Sequence, residues 1–571
     1  MTYQANLNER FRRILSLGAT SLLAGLLLAV LGWMLLSLKT AAAAPSSATN
    51  NATACFIETT GDNITDYSSA DATALQTALD TATANALIKI AGTCAGVQTV
   101  NNFTQTVYIN VANITLQGGY TTTNWTTPDP EPDIYPTALD AQGQGRVVYI
   151  ATNSTITLDS LTLTGGEGNL GGGNAYGGAI RLPGGATLNL SNTVLHNNHG
   201  ERGGVLNTSN GTVNLTNSLL MSNTANYRGG TLYGESSSTF NLINTLVLSN
   251  TAVQGGGLHS SHDTDITLVD SVIAYNNGSG LAGAILNFGD TLIIKNSTIH
   301  HNTTSGAGGA IYNTSGGIVQ AYNSTFSNNA AGNFGAIYQA SSAFTTTLVN
   351  TTIADNSATN GVGGIRLNGG VLTMSNTIMA NSGSNCSLNG GSVSSGGHNL
   401  SMDATCPLTA TGDLTDTNPL LDTLADNGGS TLTRALLAGS PAIDAGDNAL
   451  CTAVPVNGLD QRGVTRPQNT QCDMGAYEFW RLAIGVVSAS ELDLTWANAA
   501  AGCTYDVYEE TMPYFTPITV TYPNQSSGVV YPRLGDAATN YFYVVKAVCG
   551  GLATAVSNKV GEFDFAVVPG D

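Results

Sequence analysis

From about residue 186 to 380 the chain repeats one arrangement of apolar and polar positions. Two apolar residues stand two apart, and an Asn follows two residues later. An apolar residue comes three after that Asn, and a second Asn three further on. The first Asn falls at Asn192, Asn217, Asn244, Asn296, Asn323, Asn350 and Asn376, with Asp270 in its place once. The steps are 25, 27, 26, 26, 27, 27 and 26 residues. The second falls at Asn198, Asn223, Asn250, Asn276, Asn302, Asn329 and Asn356. Leu188 and Leu190, Val213 and Leu215, and Ile266 and Leu268 are typical preceding pairs. Leu195, Leu220 and Phe326 are typical of the position between the two Asn. A Gly recurs upstream at Gly178, Gly204, Gly230, Gly256, Gly283, Gly309, Gly335 and Gly363.

Spacing of two is a strand signal, and a 3.6-residue helical stripe is missing. A fixed period near 26 means a stacked array rather than a closed globule. A period of six, the mark of left-handed hexapeptide coils, is absent. The pattern therefore predicts an all-β fold: a right-handed parallel β-helix of about 26 residues per coil. Coils stack ~4.8 Å apart, so like residues lie over like. A buried Asn is then satisfied by the Asn above and below it. Asn also tolerates the left-handed backbone of a bend. Gly at the other corner allows positive φ and close approach of coils.

Gly-Gly-Ala-Ile at 177–180 and 308–311, with Phe326-Ser327-Asn328-Asn329, resembles the GGA[ILV] and FxxN repeats of polymorphic outer membrane proteins. The resemblance covers roughly residues 150–385. It implies an exposed passenger with a role in adhesion. That family ends in a membrane β-barrel. Residues 481–571 do not read as one, so the autotransporter route is not carried over.

The flanks divide the chain further. Residues 1–44 read as a signal peptide or N-terminal membrane anchor: Arg10, Arg12 and Arg13 precede an apolar stretch from Ile14 to Leu38. Residues 45–100 read as an N-terminal cap with an amphipathic helix over 71–84. The β-helix is expected over 101–395. Residues 396–480, with "NPLLDTLADNGGSTLTRALLAGSPAIDAGDN" and "DQRGVTRPQNTQCDMGAYEF", resemble the choice-of-anchor Q segment that follows β-helices in exported bacterial proteins. Its Asp460, Arg462, Arg466, Asp473 and Glu478 are expected to form capping salt bridges. Residues 481–571 alternate in short strands and resemble a fibronectin type III domain, a small β-sandwich, with Trp496, Tyr541 and Tyr543 as core aromatics.

Charge and cysteine narrow the partners. With 18 Lys plus Arg against 38 Asp plus Glu, the net charge of −20 argues against nucleic acid. The eight Cys fall as four local pairs: Cys55–Cys94, Cys386–Cys406, Cys451–Cys472 and Cys503–Cys549. In an exported chain these are disulfides.

Candidate chemistry is sparse. Polysaccharide lyases of this architecture set a Lys or Arg base beside Ca²⁺-binding carboxylates, and hydrolases use paired carboxylates. Lys295 is the sole Lys of the repeats, and Arg181, Arg202, Arg228 and Arg366 lie on different coils. The best acidic group is Glu235, Asp263 and Asp290, with Asp265, His259 and His262 close by. It is either a solvated turn, a proton-transfer pair, or a Ca²⁺ site built on Asp263, Asp265 and Asp290. Ca²⁺ is the one cofactor the pattern admits. His196 and His300 share a column four coils apart and are expected to face solvent. GxSxG, HExxH and Walker motifs are absent. The leading expectation is an exported, non-catalytic protein that adheres to an extracellular glycan or surface protein, with membrane anchoring through residues 14–38 if that segment is retained. The alternatives are a lyase or hydrolase of acidic glycans, and a purely structural surface component.

Overall fold

The computed structural model describes residues 54–571, except 129–136, 171–174, 342–344, 489–490, 497–498, 500–502, 511–519, 526–528, 532–541, 550–551, 558–559 and 562–571. The apolar stretch 14–38 and Tyr541 thus lie outside the described residues.

The chain winds into a parallel β-helix of about twelve turns. Each full coil carries four short strands, here called faces 1 to 4. In one coil these are Thr212–Thr216, Leu219–Met221, Thr224–Arg228 and Leu232–Glu235. Every face pairs in parallel with its counterpart above and below. On face 1, Leu190, Leu215, Leu242, Leu268, Ile294, Ala321, Leu348 and Met374 fall in one file. All are buried, and together with files from the other faces they make one continuous apolar core.

The two Asn columns do different jobs. In the first, Asn192, Asn217, Asn244, Asp270, Asn296, Asn323, Asn350 and Asn376 all adopt left-handed backbone, with φ from 46° to 52°. Their side chains stack only in places: Asn217 Nδ2 donates to Asn192 Oδ1 (3.3 Å), Asn244 to Asn217 (2.8 Å) and Asn376 to Asn350 (3.2 Å). The second column is an unbroken, buried ladder from Asn198 to Asn356. Each residue sends both its backbone N–H and its Nδ2 to the Oδ1 of the next, at 2.8–3.2 Å. Most Nδ2 groups also reach a core-strand carbonyl of the preceding coil, such as Leu195 for Asn223 and Val247 for Asn276. The ladder runs on through Asn381 to Asn385. Its bend takes positive φ one residue earlier, at Asn197, Ser222, Ser249, Tyr275, His301, Asn328 and Asp355.

The Gly column divides in the same way. Positive φ belongs to the preceding residue, such as Gly229 at 62°. Gly230 itself is required for space, because a Cβ there would lie 2.0 Å from the Gly256 carbonyl oxygen.

Both ends of the core are covered. Strand Cys55–Glu58 runs antiparallel to Tyr67–Ser69 and Leu87–Ala95. Helix Thr73–Thr81, shorter than the 71–84 expected, drives Leu75 and Leu79 into the open end of the cylinder. Cys55 and Cys94 are bonded there. At the far end the last coil closes through Leu400–Ser401, with Cys386 bonded to Cys406.

The segment expected as a C-terminal cap does more than close the end. It folds back along face 2 of the later coils. Thr325 Oγ1 donates to Gln461 Oε1 (2.7 Å), Gln461 Nε2 to Thr298 Oγ1 (2.8 Å) and the Ala476 N–H to Thr352 Oγ1 (3.0 Å). Arg434 bonds Ser327 and pairs with Asp355. Where this brace lies, the outward residues of face 2 are buried: Thr298, His300, Thr325, Ser327 and Thr352. The outward residues of Val194–His196 and Leu219–Met221, several coils earlier, are half-buried. His300, expected in solvent, is therefore 0% exposed, whereas His196 is half-buried. The brace also interrupts the first Asn column, since Asn323 turns to the Leu459 carbonyl and Asn350 to Cys451 Sγ.

A β-sandwich follows. One sheet holds Leu482–Ser488, Glu491–Trp496 and Val529–Tyr531, and the other is built on Cys503–Glu510 and Phe542–Cys549. Trp496, Tyr505, Val507, Tyr543 and Val545 pack between them with Val464 and Trp480 of the brace. Cys503 and Cys549 sit opposite one another in register and are bonded.

Two substitutions separate the roles of the Asn columns. Asn276→Ala strips the partners from Asn250 and leaves the Val247 carbonyl unpaired, at ~3 kcal/mol for several unsatisfied buried groups. Asn296→Gly keeps the backbone conformation that its site needs, removes one side-chain bond, to Asp270, and is expected to cost ~1 kcal/mol. Urea titration with amide hydrogen exchange over the neighbouring coils measures both; equal losses would refute the division.

Candidate functional site

Face 4 carries the chemistry of the outer surface. Its central outward file runs Tyr108, Tyr149, Arg181, Asn207, Tyr233, His259, Leu286, Tyr312, Tyr338, Arg366 and Ser387 in unbroken register. Strand alternation sends these side chains outward while Leu232, Leu258, Ile285 and Ile311 fill the core. Face 3 overhangs the middle of this file. Its strands are four or five residues long at Thr224–Arg228, Thr251–Gln254 and Asn277–Leu281, but two at Thr303–Thr304 and Ala330–Ala331. Under the long strands Tyr233, His259 and Leu286 are almost fully buried; beyond them Tyr312 and Tyr338 emerge. The outcome is a groove, a cleft of about 200 Å³ lined by Arg228, Gln254, His259, Leu286, Phe288 and Tyr312.

One network organises its rim. Arg228 Nη1 donates to Tyr233 Oη (3.2 Å) and Nε to Gln254 Oε1 (3.2 Å). Tyr233 in turn donates to Glu235 Oε1 (2.6 Å), which also accepts from Arg202 Nη1 (3.3 Å). Arg202 lies over the Tyr176 ring (4.8 Å), and Arg228 over Tyr227 (4.8 Å). His259 is pushed down to about 3 by burial, then by Arg228 and Arg202, so it is neutral. Further along, Tyr338 stacks against Phe334 (4.6 Å) and meets Tyr312 edge-on (5.0 Å). Arg366 lies over Phe334 at 5.6 Å.

The acidic candidates do not converge on a common point. Glu235 is held by Arg202 and Tyr233. Asp263 sits exposed on a bend at φ 64°. Asp265 is exposed, and its Oδ1 accepts from the Thr291 N–H (3.1 Å). Asp290 turns inward and is 4% exposed. Its carboxylate oxygens accept no well-formed hydrogen bond, and burial pushes it up to about 6. The Ser260 hydroxyl and the amides of Thr264 and Asp263 offset part of that shift. His262 packs edge-on against Phe288. Among the described residues no three His, Cys, Asp or Glu side chains assemble into a metal site, so Asp263, Asp265 and Asp290 are not gathered as a Ca²⁺ set. Lys295 lies on face 1, Arg181 donates to Asn207, and Arg366 donates to Asn368 and Ser387, so none of these is placed as a base beside an acid pair.

The acids of the brace are structural. Arg462 and Asp460 pair at 2.8 Å, both fully buried, and Arg466 lies 3.6 Å from Glu478. Burial pushes Asp473 up to about 6 and Glu478 up to about 8. Glu478 accepts backbone N–H groups from Gln468 and Asp473. Cys451 and Cys472 are bonded beside this cluster.

A second buried polar file escaped the sequence pattern. Ser260, Asn287, Asn313 and Gln339 stack on the inner side of face 4. Ser260 Oγ donates to Asn287 Oδ1 (2.9 Å), and Asn287 Nδ2 to Asn313 Oδ1 (2.8 Å). The face 4 groove was missed as well. Its signal is a Tyr, His or Arg three residues after the recurring Gly in six of eight coils, with Asn207 and Leu286 in the other two.

No known protein family and no curated protein matches this chain. Among solved structures, the pectate lyase Pel9A is similar over 71% of this chain and 90% of its own, at 14% identity and a TM-score of 0.34.

Asp290 gives a pH test. Its folded pKa of about 6 exceeds the unfolded value of 3.8, so the folded state holds the proton more tightly. Stability present below pH ~4 is lost as pH rises to ~6, by roughly 2 kcal/mol. Asp290→Asn should flatten that part of the pH–Tm curve; an unchanged slope would contradict the assignment.

Proposed function

We propose that this is an exported, non-catalytic β-helical rod that binds an extended glycan along face 4. The observation that carries the reading is the groove itself: a register-locked file of Tyr, His and Arg beneath an overhanging strand layer. Aromatic faces are electron-rich and suit the C–H face of a sugar ring. The surrounding hydroxyl, amide and guanidinium groups suit its hydroxyls. A chain lying along the axis meets the cleft rim at Arg228 and the emerging rings of Tyr312 and Tyr338. Glu235 is engaged by Arg202 and Tyr233, Asp263 faces solvent and Asp290 turns inward, and none of the three favours the lyase or hydrolase alternative.

Four disulfides suit an extracellular or otherwise oxidising setting. The resemblance of the repeats to polymorphic outer membrane proteins, of residues 396–480 to choice-of-anchor Q segments, and of the sandwich to fibronectin type III domains belongs to the same reading: an adhesive surface protein. In it the rod holds the groove away from its point of attachment.

A glycan array with the whole chain, followed by calorimetry and product analysis, tests this. Binding without product release is expected. Tyr312→Ala and Tyr338→Ala should each weaken binding by about 3- to 10-fold, the worth of one aromatic contact. Their Tm should hold within a few degrees. Release of products, lost in Asp263→Asn or Asp290→Asn, would replace this reading with the enzymatic one.

A further inference from the structure

We infer that the cleft beside Arg228 takes the anionic substituent of a sugar, a carboxylate or sulfate, from a chain lying along the helix axis. The inference rests on the glycan reading above and adds charge, place and direction to it.

Arg228 is the first reason. Its Nε and Nη1 are held by the neutral oxygens of Gln254 and Tyr233. Among the described residues no carboxylate lies within ion-pair distance of it, yet it lines the cleft. A planar guanidinium fixed by two neutral partners is pre-organised for an oxyacid, and ordering it costs the ligand little. The nearest acid on the network, Glu235, is already engaged by Arg202 and Tyr233. The brace acids are on another face, and Asp263 and Asp265 are solvent-exposed on the bend that follows His259.

The local field is the second reason. The protein carries a net charge of −20, but the permanently charged side chain that lines this cleft is a cation, Arg228. Of the two guanidiniums here, Arg202 pairs with Glu235, and Arg228 has no carboxylate of its own among the described residues. Both add to burial in keeping His259 unprotonated. A positive spot on an acidic protein selects for anions and repels no part of a sugar.

The third reason is shape. Opposite Arg228 the cleft presents Phe288 and Tyr312, and between them Leu286. An apolar floor facing a cation suits a ring with an acid on one edge. An inorganic anion would gain nothing from the floor, and a nucleic acid would meet the protein's overall negative charge. The coil spacing of ~4.8 Å is close to the length of one pyranose residue, so a chain along the axis advances about one sugar per coil. Arg228 then reads one sugar, while Tyr312 and Tyr338, three and four coils on, floor sugars about 14 to 19 Å further along the chain.

Titration calorimetry with three probes tests the inference. These are a tetrasaccharide of alternating glucuronate and N-acetylglucosamine, its carboxyl-reduced counterpart, and a sulfated tetrasaccharide of the same length. At least one acidic probe should bind about tenfold tighter than the neutral one, the worth of one charge-assisted hydrogen bond. Arg228→Gln should erase that preference. Arg228→Lys, which keeps the charge without the fork, should retain a part of it and serves if the Gln variant does not fold. Which acidic probe gains distinguishes carboxylate from sulfate. Equal affinity for neutral and acidic probes, or a preference untouched in both variants, overturns the inference and leaves glycan binding standing. No binding of any saccharide, here or on the array, overturns both.

Discussion

A buried amide must find partners, and in this protein it finds them in copies of itself. That constraint keeps the coils in step, although their lengths vary from 25 to 27 residues. If one coil gained a residue between the ladder Asn and the following strand, Oδ1 would miss the N–H and Nδ2 groups it must satisfy. Each ladder rung fixes the height of its coil, and the apolar files fall into line as a consequence. Hydrophobic burial supplies most of the driving force, but it is tolerant of slippage. The Asn column is not, because an unpaired polar group in that core has no water to turn to.

The same logic explains what sequence patterns disclose. A repeat of 25 to 27 residues with spaced aliphatics forces stacked strands, so the β-helix and its core files are legible from Leu190, Leu215 and Leu242 alone. The division of labour between Asn columns is not. Both positions read as Asn, and only the structure shows that the Asn244 column shares a left-handed φ throughout but bonds side chain to side chain in places, while the Asn250 column is an unbroken ladder. The groove is hidden for a different reason. Its file mixes Tyr, His, Leu and Arg, which share no chemistry, and its depth depends on how far face 3 overhangs. Glu235, Asp263 and Asp290 are close in coil number, but one is engaged on the rim, one faces solvent and one turns inward. Position along a coil does not reveal which way a bend residue points. The brace is the least legible element, since its hydrogen bonds join residues more than a hundred positions apart.

Charge is arranged with similar economy. The repeats hold few ionisable groups, and those on the groove are cations linked through Tyr233 and Glu235. The buried ion pairs lie in the brace, where Arg462 and Arg466 each meet a carboxylate in a dry joint against the sandwich. Buried pairs of this kind contribute less to net stability than to holding one geometry, because desolvation offsets their attraction. Here that geometry is the angle at which a strand-poor segment lies down on a regular stack and hands the chain to the sandwich.

Because the brace grips the stack from Asp270 onward, at Thr298, Thr325 and Thr352 above all, the two halves of the rod differ in their freedom to change length over evolutionary time. A duplicated or deleted coil between Gly178 and His259 would meet neighbours identical to those it left, and only the reach of the rod would alter. The same event among the gripped coils would move every anchoring threonine off its mate. Relatives of this protein should therefore vary in coil number near the amino-terminal side and keep a constant count beneath the clasp.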